Sequence, residues 1–439
     1  MNFDKIRLFL LCFSWFAGIV HVIFGQTVSN FTNTGVLSLL IFFGLTIKKL
    51  RKESFTIIAI LLIVITSLLD KFPKFDTILS GGRFVLIFSA LLPTMIFVKS
   101  VSSKIKRVKV TQKLLKELKT ENIIPGFQIA SHFFGSVINT GTFSILSASL
   151  PKDSNKGLRK NVAEACLRGM NTSATWSPFF VAFAVGQAFI DKTNSWIAIS
   201  FGFIFGILFN LISIPIFTTG LTIKQIKRSI FCLKPVFPIL SLILFSVLTV
   251  SIVFDFTALS AIVLVMPCLI FFYLVFNKKN IPEIFLETKL WLIDTSDDII
   301  VISFAMLIGY LISHSDSIIH FNLFFFQSNF HSFFLLVFTP LIITILSFIG
   351  IHPIVTSTIV LSLLTSEKSE IHPALLMQAH LVGWSAGTMS SIASLSVLTC
   401  SNLFQVSSRE ISYGPNLFTA IVFSLSAGIF LGLFNFLSS

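Results

Sequence analysis

The sequence predicts an all-α integral membrane protein, and three observations lead to that fold class. Hydrophobic residues make up 54% of the 439 residues, and charged residues only 12%. Several apolar runs are long enough to cross a bilayer, among them 196–217 and 417–437. Basic residues gather at the ends of these runs, as they do where they set membrane topology. A soluble chain of this composition could not cover its surface with polar groups, so we take lipid to be the solvent.

The apolar runs predict about eleven transmembrane helices. The first lies in an extra N-terminal element at 1–30, and no small-residue cleavage site of a signal peptide follows it. We therefore expect this helix to be retained. The predicted spans are 8–25, 33–48, 55–69, 79–99, 163–189, 195–221, 235–254, 257–277, 293–313, 373–401 and 415–437.

The distribution of basic residues places the N-terminus inside. With that orientation, all but six of the 32 Lys and Arg residues fall on the cytoplasmic side. The exceptions are Lys71, Lys74, Lys192 and Lys368 outside, with Arg83 and Arg168 within helices. Because the net charge of +13 follows topology in this way, the sequence predicts no nucleic-acid partner. The expected location is the inner membrane of a bacterium.

The sequence shows no arrangement typical of enzymes or metal sites. Its five cysteines lie in or beside apolar runs without paired spacing, which predicts small core residues and not disulfides or metal ligands. We find no phosphate-binding glycine loop, nucleophile elbow or zinc motif. The sequence thus predicts no catalytic residues, no metal and no cofactor beyond a coupling ion, and it argues against an enzyme.

The apolar segment 125–150 has basic clusters on both sides, at 104–119 and 152–160. Because both clusters are expected in the cytoplasm, the segment should enter the membrane and return to the same side as a re-entrant hairpin, with its turn near 139–142. About 14 residues at about 1.5 Å each would carry that turn past the midplane. The alternative is a full span that leaves one basic cluster outside.

A shift of 214 residues aligns ACLRGMNTSAT, beginning at 165, with AHLVGWSAGTM, beginning at 379. The same shift places the fourth span, which runs inward, over the ninth, which runs outward. The halves are therefore related by inversion, a pattern found in secondary transporters. The first repeat would be 31–222, with the hairpin at about 125–150 and a broken helix at 163–189. The second would be 223–439, with a hairpin at about 333–365 and a broken helix at 373–401.

Four small, polar stretches fall near the bilayer midplane on this map, at 139–142, 171–175, 350–358 and 385–391. Non-helical backbone is tolerated there only where protein or water satisfies it. Hydroxyl, amide and freed carbonyl oxygens suit a weakly held cation such as Na⁺, foremost at Asn139 and Asn171, while half-helix N-termini suit an anion. The alternative is that small residues only permit close packing. The candidate binding residues are Asn139, Thr140, Thr142, Asn171, Thr172, Ser173, Thr356, Ser357, Ser385, Gly387, Thr388 and Arg168.

Ionisable residues inside the spans have two interpretations each. Glu164 and Arg168 lie one turn apart, so we expect a structural ion pair; the alternative is an arginine that contacts the substrate. The acidic residues within 294–298 are helix-start residues or a proton or cation relay. The dispersed histidines have a packing role or titrate, and they are His132, His352 and His380.

In these motifs the chain resembles the ion transporter superfamily, which includes the divalent-anion/sodium symporters and the large membrane subunit of TRAP-type transporters. The stretches 139–142 and 171–175 look like the Ser-Asn-Thr signatures of the symporters. The run LRKNVAEACLRGMNTSATWSP, beginning at 158, looks like the TRAP segment that leads into a broken helix, and 350–353 is similar to the TRAP Gly-x-Asp-Pro. The resemblance implies a scaffold, usually a dimer interface, and a transport domain that moves as an elevator. The second half departs from the symporters, because no Asn-Thr pair occurs at 350–358 or 385–391.

The sequence therefore favours a secondary active transporter that moves a small anionic solute coupled to Na⁺ or H⁺. Its expected partners are that anion, the lipid bilayer and a second copy of the chain. One alternative is the membrane subunit of a TRAP-type system, which would need an extracytoplasmic solute-binding protein. A further alternative is a membrane polysaccharide polymerase or ligase. Those enzymes need a sizeable external loop, and the longest external connection expected here is only about 314–332.

Overall fold

The structure is a computed structural model and describes residues 3–68, 72–151, 153–217, 221–313, 331–365, 370–392 and 394–438. Within these ranges every regular element is helical. Seven helices are long and apolar enough to cross a membrane, or nine when each of two bent helix pairs counts as one span. The chain is an all-α membrane protein, and the prediction of the fold class is confirmed at that level.

Nine of the eleven predicted spans correspond to these helices or pairs. The span predicted at 55–69 is the shorter helix Lys52–Leu68, whose apolar part is Ser54–Ile63. The span predicted at 163–189 is interrupted after Ser173 and carries buried Glu164 and Arg168, so it is neither continuous nor uniformly apolar. The count of eleven stays a prediction.

Contacts among the helices divide the chain into two compact units. The first comprises Met1–Val101 and Phe245–Gln327, and the second Ser102–Leu244 and Ser328–Ser439. Each unit therefore draws on both halves of the sequence and cuts across the repeat boundary predicted at 222/223. The repeat itself stays a prediction, because a compact unit and a sequence period are different divisions of a chain.

The first unit is built from seven α-helices within the described residues, and α12 begins in the second unit and ends in the first. These helices are α1 (Phe3–Phe24), α2 (Ser29–Thr46), α3 (Lys52–Leu68), α4 (Phe75–Ser102), α13 (Ala258–Phe276), α14 (Ile281–Asp294) and α15 (Ser296–Ser313). Buried Arg7 ties three of them together, because its Nε donates to Thr46 Oγ1 at 2.9 Å and its Nη2 to Ser296 Oγ at 3.0 Å.

The acidic residues at 294–298 have structural roles in the first unit. Asp297 and Asp298 occupy the first turn of α15, where carboxylates favour the helix dipole. Both also pair with Arg51, at 3.2 and 3.0 Å. Asp294 is the last residue of α14. The next helix, α15, is bent by 56° relative to α14. The contacts favour helix-start residues over a proton relay.

The second unit holds the interrupted helices. Its elements are α5 (Lys106–Lys116), α6 (Thr120–Ile138), α7 (Gly141–Ser147), α8 (Lys156–Ser173), α9 (Val181–Gln187), α10 (Lys192–Phe217), α11 (Ile223–Leu233), α12 (Phe237–Val253), α16 (Ser332–Phe348), α17 (Pro353–Leu364), α18 (Pro373–Ser390), α19 (Leu395–Phe404), α20 (Ser408–Ser412) and α21 (Pro415–Ser438). The turn 139–140 joins α6 to α7, and the turn 349–352 joins α16 to α17. A break at 174–180 separates α8 from α9, and α18 ends at Ser390 before α19 begins at Leu395.

The elements of the second unit pair up in matching ways. Helix α6 packs on α8 as α16 packs on α18, and α7 packs on α19 as α17 packs on α9. Two glycines at equivalent sequence positions allow the crossings: a Cβ on Gly169 would collide with the Gln128 carbonyl oxygen, and one on Gly383 would lie 2.8 Å from Pro340 Cα. Both broken-helix continuations, α9 and α19, begin at residues 214 apart in the sequence, Val181 and Leu395.

Cysteine placement departs from the sequence prediction in two cases. Cys166, Cys232 and Cys400 are buried as expected, but Cys12 and Cys268 are exposed. Both exposed residues lie in candidate spanning helices, α1 and α13. An apolar run has a lipid side as well as a packed side, so an apolar neighbourhood in the sequence does not decide burial in a protein.

Candidate functional site

Helix α8 ends in a run of small polar residues that satisfy the freed backbone with their own side chains. Thr175 Oγ1 donates to the carbonyl oxygens of Thr172, at 2.8 Å, and Gly202, at 2.9 Å. Ser177 Oγ donates to the carbonyl oxygen of Ser136 in α6. Pro178 follows, which has no N–H to continue the helix. All residues of the break at 174–180 are buried, so the interruption lies inside the protein.

The two broken helices meet at the predicted polar stretches. Ser385 Oγ of α18 donates to the carbonyl oxygen of Asn171 in α8 at 2.6 Å, and Thr388 Oγ1 donates to Asn171 Oδ1 at 2.7 Å. Asn171 Nδ2 in turn donates to the Leu167 carbonyl oxygen at 2.9 Å. The structure thus brings Asn171, Ser385 and Thr388 together. Asn171 and Ser385 are buried, and Thr388 is partly buried.

Three predicted hydroxyls are buried and have no hydrogen-bond partner among the described residues. They are Thr142 Oγ1 in the first turn of α7, and Thr356 Oγ1 and Ser357 Oγ in the first turns of α17. Thr358, next in the chain, shares this property. A buried hydroxyl without a partner costs about 1–3 kcal/mol. Thr142 and Thr356 occupy equivalent positions of the predicted repeat, so the two halves each contain an unpartnered buried hydroxyl at the same place.

Asn139 forms the turn between α6 and α7 with an unusual backbone. Its φ is 50°, in the region that non-glycine residues rarely adopt, and its N–H donates to the Gly135 carbonyl oxygen at 3.0 Å. Asn139 and Thr140 are partly buried. No hydrogen bond joins Asn139 to Asn171 among the described residues.

The remaining small residues of the predicted site have packing partners. Thr172 Oγ1 donates to the Arg168 carbonyl oxygen at 2.8 Å, and Ser173 Oγ donates to that of Met170 at 2.7 Å. A Cβ on Gly387 would lie 2.6 Å from Ser347 Oγ. These contacts agree with the packing interpretation for Thr172, Ser173 and Gly387.

Arg168 is almost fully buried, at 1% exposure, and its partners are neutral. Its Nε donates to Gln128 Oε1 at 3.3 Å and its Nη1 to Asn416 Oδ1 at 2.8 Å. The guanidinium carbon also lies 4.5 Å from the centre of the Phe217 ring. The expected ion pair with Glu164 is not formed as a contact: Lys160 is the cation within 4 Å of Glu164, at 3.9 Å, and Arg168 interacts with that carboxylate only at longer range. A spacing of one turn permits a pair but does not require it when amides from α6 and α21 reach the guanidinium.

Sequence reasoning did not identify the amides that surround Arg168. Gln128 Nε2 donates to Asn210 Oδ1 at 3.0 Å and to Ser213 Oγ at 2.7 Å, so the residue that bonds the arginine also links α6 to α10. Gln128, Asn210 and Asn416 are all buried. Their presence inside apolar runs was the available signal, because uncharged amides at membrane depth also need partners.

The three histidines lie in separate hydrogen-bonded positions. His132 Nε2 accepts from Trp176 Nε1 at 3.1 Å, while its Nδ1 lies 3.2 Å from the Gly169 carbonyl oxygen. His380 Nε2 lies 2.9 Å from the Ala182 carbonyl oxygen. His352 is the N-cap of α17, where its side chain accepts from Ile354 N–H. No group of three His, Cys, Asp or Glu residues that could hold a metal occurs among the described residues.

In comparisons with known proteins, no family model matches this chain, and no curated protein matches its sequence.

Proposed function

We propose that this protein is a secondary active transporter for a small anionic solute, with Na⁺ or H⁺ as the coupling ion. The observation that carries the proposal is the meeting of two interrupted helices at Asn171 and Ser385. Broken helices whose polar ends converge inside a helical membrane protein are how secondary transporters build a solute site near the middle of the bilayer. The bonds from Ser385 and Thr388 to Asn171 join α8 and α18 just where each is about to end.

The inverted repeat gives this site its place in the membrane. The matching contacts of α6, α7, α8 and α9 with α16, α17, α18 and α19 support two repeats built alike. In the proposed topology, α6–α7 and α16–α17 are re-entrant hairpins that enter from opposite sides. Solute and ion would then reach the convergence point from either face in turn, through an inner membrane such as that of a bacterium.

The coupling ion has candidate ligands at the unpartnered hydroxyls. Thr142 and Thr356 offer neutral oxygens whose hydrogen-bonding capacity nothing else among the described residues uses. Such oxygens hold Na⁺ weakly enough to release it. A bound ion or its water would remove the free-energy cost of these buried groups, and the apo protein would bear that cost.

The positive charge of Arg168 would favour an anion near α8. No carboxylate contacts this guanidinium within 4 Å among the described residues, so its direct partners are two amides and the Phe217 ring, with Glu164 acting on it only at longer range. The long-range field of such a charge attracts anions in a medium of low dielectric constant. This supports an anionic solute over a cationic one. It does not require the solute to touch the arginine.

The proposed function resembles that of the divalent-anion/sodium symporters, and a homodimer would be the expected assembly. The alternative, a TRAP-type membrane subunit, differs in one testable respect. It would be inactive without an extracytoplasmic binding protein, whereas a symporter works alone.

Uptake by proteoliposomes that contain only this chain tests the proposal. A panel of labelled mono-, di- and tricarboxylates and inorganic anions is supplied with an inward Na⁺ gradient, with a pH gradient, or with neither. We expect at least one anion to accumulate. This accumulation should require one of the gradients and should stop when an ionophore removes that gradient. No uptake of any anion under any gradient would contradict a self-sufficient transporter.

A pair of double variants separates the site from the rest of the second unit. Ser385→Ala/Thr388→Val removes both hydroxyls that α18 donates to Asn171. The control, Thr344→Val/Ser424→Ala, removes two buried hydroxyls that bond each other at 2.6 Å between α16 and α21. We expect at least tenfold slower uptake in the first variant and at most a twofold change in the control. Equal losses would indicate that close packing, and not binding, is what these residues provide.

A further inference from the structure

Two helices of the second unit are basic and amphipathic and contact each other. Helix α5 reads KRVKVTQKLLK and α11 reads IKQIKRSIFCL, so neither contains an acidic residue. Cys232 Sγ of α11 lies 3.7 Å from the Leu114 carbonyl oxygen of α5, which holds the two helices together. Basic amphipathic helices beside a membrane span are typical of segments that lie at the headgroup level.

A groove of about 350 Å³ lies between these helices and the start of α12. Its lining is Arg107, Leu114, Phe231, Lys234, Pro235 and Pro238. Arg107 and Lys234 are exposed, and neither forms an ion pair with a described residue. The other four side chains are apolar. The acidic residues that follow α5 in the sequence, Glu117 and Glu121, are not part of the lining.

The groove opens beside a helix of membrane-spanning character. Helix α11 turns by 72° into α12, and the pair together is apolar enough to count as one bent span. Pro235 and Pro238 lie at that bend. The apolar rim continues along α11 and α12 through exposed side chains, with Phe231 at 52% and Leu242 at 56% exposure. Charge and apolar surface thus adjoin at the bend, as the headgroup and acyl regions of a lipid do.

We propose that this groove binds one anionic phospholipid. The phosphate lies between Arg107 and Lys234, which form no ion pair with a carboxylate among the described residues. The first part of an acyl chain follows Phe231 and Pro238 toward the exposed face of α12. A zwitterionic lipid carries its own cation beside the phosphate and therefore gains less from two basic side chains. The proposal is independent of what the protein transports.

Native mass spectrometry of the purified full-length chain tests this proposal directly. After detergent exchange, the protein is titrated with phosphatidylglycerol or phosphatidylcholine of the same acyl composition. We expect one phosphatidylglycerol to bind at least tenfold more tightly than phosphatidylcholine. Glycerol phosphate, which has the headgroup charge without acyl chains, should not displace it at millimolar concentration. Equal binding of the two lipids, or displacement by glycerol phosphate, would overturn the proposal.

Matched variants locate the lipid. Arg107→Gln/Lys234→Gln removes the two cations of the groove and should weaken phosphatidylglycerol binding about tenfold. Lys106→Gln/Lys224→Gln removes two exposed cations from the same helices outside the groove, and it should leave binding within twofold. Equal weakening in both would mean a diffuse electrostatic effect and would overturn the site. A photoreactive anionic lipid gives a measurement without substitution: we expect cross-links within 107–114 and 231–238, and cross-links only elsewhere would contradict the groove.

Discussion

Ser385 donates a hydrogen bond of 2.6 Å to the backbone oxygen of Asn171, a residue 214 positions earlier in the chain. That separation equals the shift at which the two halves of the sequence align. The contact therefore joins equivalent positions of the two predicted repeats. Contacts between equivalent positions occur next to a twofold axis, because only there do related points come together. Asn171 and Ser385 mark the place where such an axis would pass through the second unit.

Replacement of Asn171 by alanine should impair coupled uptake. Asn171→Ala removes the acceptor of Thr388 and one oxygen at the convergence of α8 and α18. We expect at least tenfold slower uptake and a destabilisation of about 1–2 kcal/mol. Asn435→Ala is the control. Asn435 is also buried, and its Oδ1 accepts a hydrogen bond of 2.9 Å from His372 N–H, outside the contact between Asn171 and α18. Uptake in proteoliposomes and thermal unfolding measure the two effects. A loss of uptake that merely tracks the loss of stability in both variants would favour packing.

Removal of the unpartnered hydroxyls should separate stability from function. Thr142→Val and Thr356→Val replace buried hydroxyls without partners by methyl groups of similar size. Each should stabilise the ion-free protein by about 1 kcal/mol and weaken the dependence on the coupling ion. Thr339→Val is the control: its Oγ1 donates to the Leu335 carbonyl oxygen at 2.8 Å, so this change should leave ion dependence intact. Unfolding with and without Na⁺ provides the measurement. Destabilisation by both test variants would show that these hydroxyls have partners in solution.

Arg168 should be energetically coupled more strongly to Asn416 than to Glu164. In a double-mutant cycle, Arg168→Gln with Asn416→Ala should give a coupling of about 1–2 kcal/mol, because the two side chains share a bond of 2.8 Å. The cycle of Arg168→Gln with Glu164→Gln should give a smaller coupling, since the two side chains make no contact within 4 Å and attract each other only at longer range. Arg168→Lys should also destabilise, because lysine lacks the planar fork that reaches two amides. Strong coupling to Glu164 would restore the ion pair that the sequence suggested.

Alanine at the two crossing glycines should destabilise the second unit. The Cβ of Gly169→Ala meets a backbone oxygen of α6, and that of Gly383→Ala lies 2.8 Å from a backbone carbon of α16. We expect losses of about 1–3 kcal/mol, larger for Gly169. Gly44→Ala is the control: this helical glycine has open space around it, so alanine should stabilise by about 0.5–1 kcal/mol. Denaturation in detergent compares the three. Tolerance of alanine at position 169 would argue against the close crossing of α6 and α8.

The topology of the first hairpin can be tested by labelling. Asn122→Cys, in the first turn of α6, and Ser154→Cys, after α7, lie at the two ends of the hairpin, and each is made in a background without the five natural cysteines. If the segment between them re-enters, both sites should react with an impermeant thiol reagent only in inside-out vesicles. Lys192→Cys, expected outside, serves as the opposite control. Reaction of one hairpin flank from outside would show a full span and remove the basis of the inverted repeat.

The sequence predicted the interruptions well because their causes are local. Pro178 and the small polar residues before it end α8 through the chemistry of a few neighbouring positions. The same holds for the turn at Gly350, whose φ of 100° suits glycine, followed by the proline that begins α17. Even the contact of Asn171 with α18 lies in stretches that the sequence had singled out.

The surroundings of Arg168 could not be predicted because its partners are distant in the chain. Gln128 lies 40 residues earlier and Asn416 lies 248 residues later. Periodicity indicates which face of a helix is polar, but it cannot say which other helix presents an amide there. The division into compact units is similarly non-local, since it depends on packing among helices from both halves of the sequence.

The position of Asn416 has a consequence for how Arg168 is accommodated while the chain is being synthesised. Arg168 leaves the ribosome 248 residues before its shortest hydrogen-bond partner. At about 5–20 residues per second, the wait lasts roughly 12–50 s. During that time the partners already synthesised for the guanidinium are Gln128 and the Phe217 ring. Helix α21, which supplies Asn416, is therefore synthesised long after α8, and a chain that stops before it would leave the guanidinium without its shortest hydrogen bond.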